Sequence, residues 1–150
     1  MKKLTAFKEY LLDLKLVTPE KLEAYPENNQ LDILTKPGKQ GLEMAQVSYD
    51  AVFELNLIKA SYTALVAIVS GWLAEHDQAR NQQDVDKPEF EYELTEEGLV
   101  DVRLMIPFCE SVCLVEKEQG PIHYAGKRWD TGDYDLWIAE SGEVTDASTR

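Results

Sequence analysis

Cys109, Cys113, His76 and His123 are the side chains whose chemistry first invites an enzymatic reading of this sequence. A cysteine nucleophile needs a histidine within hydrogen-bond reach and a third group to orient it. His123 follows both cysteines and could pair with either, but neither sits in a glycine elbow of the kind that exposes a nucleophile. Zinc could draw on Cys109, Cys113 and His123 with His76 or an acid, yet the cysteine spacing is Cys-x-x-x-Cys inside an apolar run. Structural zinc sites use tighter Cys-x-x-Cys knuckles. Residues four apart on a strand share a face but lie about 13 Å apart, too far for a disulfide unless the strand bends sharply. The plainer expectation is two buried thiols in a reducing compartment, with His76 a half-buried helix-end histidine. The glycine-bearing run Lys36-Pro37-Gly38-Lys39-Gln40-Gly41 feeds a strand and lacks the Gly-Lys-Ser/Thr ending of a phosphate loop. Glu91 and Glu93 share the wet face of a strand and read as solvated charge, and no sugar cleft is identifiable beside them. The residues therefore predict no enzyme, no cofactor and no metal.

A second cluster points to binding. Trp129, Tyr134 and Trp137 lie among Lys127, Arg128, Asp130, Asp133 and Asp135. Tryptophan, tyrosine and arginine carry much of the energy of protein interfaces, so Trp129, Arg128 and Tyr134 are the candidate interface residues. For Trp129 a core position is an equal alternative, and Trp137 is assigned to a last core strand. The net charge of -13 repels phosphates and anionic membranes, and it favours basic partners. Direct binding to duplex nucleic acid over a broad surface is not expected on that ground, and no direct sequence-specific nucleic-acid partner is predicted. No apolar run approaches the roughly 20 residues of a membrane span. Ala60 to Leu73 is the most apolar stretch, and Ser61, Thr63, Ser70 and Gly71 interrupt it. No signal-peptide core follows Met1-Lys2-Lys3, which predicts a chain that stays in the cell that makes it.

The elements follow from periodicity. Leu4 to Leu16 places Leu4, Phe7, Leu11, Leu12 and Leu14 along a helical stripe. Thr18-Pro19-Glu20-Lys21 opens a second short helix that ends by Tyr25-Pro26. Gln30 to Thr35 reads as a strand, and the run to Gly41 as a loop. From Ala45 to Leu57 the odd positions are apolar and the even ones polar, with Val52 the exception, which predicts a long half-buried strand. Ala60 to Ala79 follows helical spacing through Tyr62, Leu65, Val66, Val69, Trp72, Leu73 and His76, and predicts the main core helix. Gln78 to Lys87 reads as an exposed loop. Phe90 to Leu94, Val100 to Ile106 and Val112 to Lys117 read as strands, with Pro107 ending or bulging the second. Ile122 to Ala125 and Asp135 to Ile138 are weaker strands separated by a polar loop. The expected fold is α+β, a mostly antiparallel sheet packed by a central amphipathic helix with N-terminal helices. It forms a single domain over residues 1–143, with a flexible tail over 144–150.

The order of these segments resembles the tail completion proteins of P2-type contractile phages, the protein R class. The resembling segments begin with Lys21-Leu22-Glu23-Ala24-Tyr25-Pro26-Glu27-Asn28, then Val47-Ser48-Tyr49-Asp50-Ala51-Val52-Phe53-Glu54-Leu55. Leu65-Val66-Ala67-Ile68-Val69-Ser70-Gly71-Trp72-Leu73 follows, and an acidic loop leads into Phe90-Glu91-Tyr92-Glu93. Val100-Asp101-Val102-Arg103-Leu104-Met105-Ile106, Val112 to Glu116, and Tyr134 to Glu143 complete the series, covering roughly residues 5 to 143. The first helix departs from the pattern in being unusually apolar. The resemblance implies a structural protein of a bacteriophage or prophage that finishes the tail tube at its head-proximal end and helps join head to tail. It implies tail tube protein and head-joining proteins as partners, and location in the host bacterial cytoplasm during assembly and then in the virion tail. By analogy with tail terminators it implies a ring, often a hexamer. The alternative from charge alone is an acidic inhibitor or immunity-type protein that binds a basic partner.

Overall fold

The computed structural model describes residues 1–38 and 41–132. Along the chain run helix α1 (Lys2–Asp13), strands β1 (Leu22–Pro37) and β2 (Leu42–Ile58), helix α2 (Tyr62–His76), and strands β3 (Glu89–Leu94), β4 (Val100–Glu116), β5 (Ile122–Tyr124) and β6 (Lys127–Thr131). The strand order is β1-β2-β4-β6-β5, and β3 pairs separately with β4. The architecture is α+β with a mostly antiparallel sheet, as expected. Two compact units divide the described residues, one of Met1–Asn29 with Ser48–Glu110, the other formed by the described residues of 30–47 and 111–132.

In the first unit, β3 runs antiparallel to β4, with Glu89 opposite Met105 and Leu94 opposite Val100. Phe7 of α1 is fully buried and meets Phe53 and Trp72 edge-on, at centroid distances of 5.0 and 5.1 Å. Such pairs add to the burial of apolar area. Val52, the break in the alternation of β2, is buried together with Ala51 and Phe53, so this part of the strand is covered on both faces. Ser61 caps α2 by accepting from the Ala64 N–H at 3.1 Å.

Three sequence expectations change. The second N-terminal helix is a 3₁₀ turn at Pro19–Lys21, after which β1 begins at once and runs through Pro26. β1 is the outermost strand in the order, and an edge strand tolerates a residue with no N–H. The two strands expected on either side of Pro107 are one strand, β4. Ile106, Pro107, Phe108 and Cys109 are all buried there, so burial on both faces holds the strand past its missing donor. Helix α2 buries Leu65, Val69, Trp72 and Leu73, but its exposed side carries Thr63, Ala64, Ala67, Ser70, Gly71 and Ala74, with no charge before Glu75. Its amphipathic contrast is therefore weak. A methyl group at Gly71 would meet nothing within 4 Å. Gly71→Ala is expected to stabilise the fold by about 0.5–1 kcal/mol through the entropy of the unfolded chain, read as a higher urea midpoint at unchanged slope.

Two polar contacts anchor α1, and sequence periodicity gave no sign of either. Met1 stands at the N-cap without a side-chain cap bond. Glu110, distant in sequence, accepts the Lys2 and Lys3 N–H groups, each at 2.9 Å. It thereby places a negative charge at the positive end of the helix. The Tyr49 hydroxyl also donates to Glu110 and accepts from the Leu4 N–H at 3.3 Å. Asp77, whose side chain is 2% exposed, bonds Lys3 Nζ and Arg80 Nη1, both at 2.7 Å. Lys3 Nζ donates also to the Cys109 carbonyl at 2.8 Å.

Burial, and then the bond to the Glu110 carboxylate, push the Tyr49 hydroxyl well above its ordinary value near 10. A pKa raised on folding gives stability that is fully present below about pH 10 and lost as pH rises beyond it. Alkaline titration of stability should show that loss in the wild type and a shallower one in Tyr49→Phe. Equal slopes above pH 10 would contradict it.

Candidate protein interface

The β5–β6 hairpin, in the second unit, holds the described interface candidates. Tyr124 lies opposite Lys127, leaving a two-residue turn of Ala125 and Gly126. Both turn residues have positive φ, 55° and 74°. Tight hairpins need that conformation at both positions, but Asn-Gly and Asp-Gly are the sequences that announce it. Ala-Gly gives no such signal, which is why residues 126–131 read as loop and β6 was not expected.

Trp129 is half-buried and does two structural jobs. Its indole N–H donates to the Tyr124 carbonyl at 2.9 Å, and its ring lies 6.5 Å from that of Tyr124. Its backbone passes so close to Gly120 that a methyl there would sit 2.1 Å from the Trp129 carbonyl oxygen. Gly120 is therefore required by close approach. The exposed Arg128 donates through Nε to the Gly120 carbonyl at 2.8 Å. Lys127 and Glu116 pair at 3.1 Å, as do Lys117 and Asp130 at 3.3 Å. β6 also lies antiparallel to the end of β4, Trp129 opposite Glu116. The hairpin thus presents the exposed Arg128, Lys127 and His123 beside the half-buried Trp129, on a framework held by its own hydrogen bonds. Tyr134 and Trp137 lie outside the described residues.

The residues considered for chemistry are scattered by environment. Cys109 and Cys113 are buried, unbridged thiols in β4, while His123 is exposed on β5. His76 is exposed at the end of α2, its ring 5.1 Å from that of Trp72. Among the described residues no group of three His, Cys, Asp or Glu side chains is arranged to hold a metal ion. No described helix is long and apolar enough to cross a membrane.

Elsewhere the surface is acidic and ordered by ion pairs. Arg103 reaches Glu27 at 3.3 Å and Glu91 at 3.6 Å. Tyr25 donates its hydroxyl to Glu54, and that bond raises the pKa of the phenol. Exposed pairs of this kind contribute little to stability.

Long antiparallel strands, two helices and an acidic composition define the class as a small α+β protein. The match to known proteins is specific: residues 1–133 fit the model of the family described as P2 phage tail completion protein R (GpR), and the chain belongs to that family. It is also 23% identical over 109 residues to the "Uncharacterized 19.2 kDa protein in rep-hol intergenic region" of Haemophilus phage HP1 (strain HP1c1). That alignment covers 71% of this chain and 66% of the relative, just under two thirds of its length. No solved structure matches the chain significantly. The comparisons give the inhibitor reading no support.

Proposed function

We propose that this protein closes the head-proximal end of the tail tube and prepares it for joining to the head, without catalysing a reaction. The observation that carries this is the family match, which spans residues 1–133 and so takes in every described element. In this reading the chain assembles in the host bacterial cytoplasm and acts as a ring, a hexamer by analogy with tail terminators. Rings arise from head-to-tail contacts that close by rotation. Trp129, Arg128 and Tyr134 contribute to the contact with the tail tube protein or the next subunit. An acidic lumen would let DNA pass without sticking, because like charges repel.

A phage lacking a working copy of this chain should accumulate full heads and unjoined tails. Purified protein added to such an extract should restore infectious particles. If added protein restores nothing, or if joined particles form in its absence, the proposal fails.

A further inference from the structure

The structure assigns a self-association surface to the outer half of β1, residues 30–37, which we propose adds edge-on to β5 of a second copy of this chain. The inference rests on the self-association proposed above and names where it occurs.

Within the second unit, the strand order places β1 at one end and β5 at the other. Among the described residues no further strand pairs with the outer edge of either. An open edge offers backbone donors and acceptors in register for another strand. From Gln30 to Pro37 every residue is exposed except the half-buried Thr35, so both faces of this stretch meet solvent. It nevertheless carries Leu31, Ile33 and Leu34, exposed by 62%, 71% and 38%. Soluble proteins usually guard such an edge with charge or cover it.

Charge selects the occupant. The chain has a net charge of -13, so two copies repel over most of their surfaces. β3 shows the effect, because Glu89, Glu91 and Glu93 alternate along it, all exposed. A second acidic strand would be driven from that edge. Residues 30–37 hold one acid, Asp32, and one base, Lys36, and so are neutral. At the other end, β5 is Ile122-His123-Tyr124 with no acid, and its hairpin partner begins Lys127-Arg128. A neutral apolar edge meeting a mildly basic one is a contact that two acidic copies can make. A strongly basic partner would gain nothing from residues 30–37. Joining unlike ends makes the contact head-to-tail, the type that repeats around a ring.

Sedimentation of the intact chain, alone and with tail tubes, tests this with two variants, Leu31→Lys/Ile33→Lys on β1 and Ile122→Lys on β5. The wild type should assemble. Each variant should associate at least about 100-fold more weakly while keeping the wild-type melting temperature, since it loses the apolar contact and gains repulsion. An equimolar mixture of the two should form dimers and stop there, because each contributes one intact end. If the β1 variant assembles as well as the wild type, the surface is wrong and self-association stands. A mixture that stays monomeric overturns the pairing of β1 with β5. A β1 variant that melts well below the wild type shows that these residues pack within their own chain, which also overturns it. Loss of tube capture by a β1 variant of a chain that never self-associates assigns the edge to the tube protein. A wild type that stays monomeric both alone and on tubes removes self-association altogether.

Discussion

Asp77→Ala should lower the stability of the fold by about 3–5 kcal/mol, the largest loss expected from any single charge change here. Asp77 is almost completely withdrawn from water and neutralises two cations, Lys3 from α1 and Arg80 from the turn after α2. Both cations also lie about 6 Å from the Phe108 ring, at 5.9 and 6.0 Å, which confirms that their heads are turned inward. Arg80 is held further by the Asp86 carbonyl, accepting at 3.0 Å. Removing the carboxylate leaves two poorly hydrated positive groups without their counter-ion, and that residual cost exceeds the value of the contacts themselves. In a chain of this length each kcal/mol moves the melting temperature by about 2–4 °C, so a fall of roughly 6–20 °C is expected. Asp77→Asn keeps an acceptor without the charge and should fall between. A loss in Asp77→Ala below about 1 kcal/mol would mean that water replaces the carboxylate freely, contrary to the burial.

Glu110→Ala should cost about 2–5 kcal/mol, from two separable sources. The first is the cap: two N–H groups at the start of α1 lose their acceptor, worth about 1–2 kcal/mol. The second is Tyr49, which is 2% exposed and loses the partner of its hydroxyl, at about 1–3 kcal/mol. The two can be told apart. In a Tyr49→Phe background the second source is absent, so Glu110→Ala should cost only the cap. The double variant should therefore be less destabilised than the single effects added together, with a coupling of about 0.5–3 kcal/mol in chemical denaturation. Strict additivity would show that the hydroxyl and the carboxylate do not depend on one another.

These two sites also mark where sequence reasoning stopped. Periodicity found α1, β2, α2 and β3 because each is long enough for one face to repeat. It found Phe7, Phe53 and Trp72 as core for the same reason. It could not find Glu110 as a helix cap, because capping rules search the residues next to a helix and this acceptor comes from β4. Asp77 stands in a polar run and gives no local sign of its burial. The length of β1 was hidden by Pro26, and that of β4 by Pro107, since proline is read as a break until a strand's edge position or two-sided burial is known. β6 was hidden by its Ala-Gly turn. The candidate interface was partly legible. Composition picked out Arg128 and Trp129, but not that both hold the Lys117–Tyr124 turn in place while offering an outer surface. The family was legible from segment order, because order and spacing survive where individual residues change.

The most direct test of the central claim is light scattering on the purified chain mixed with purified tail tubes, over a wide protein range. The account predicts stable capture at tube ends, saturating at a fixed small number of chains per tube and surviving dilution. Tubes that elute free of the chain at every concentration, while the chain binds a basic protein with steep salt dependence, would contradict it.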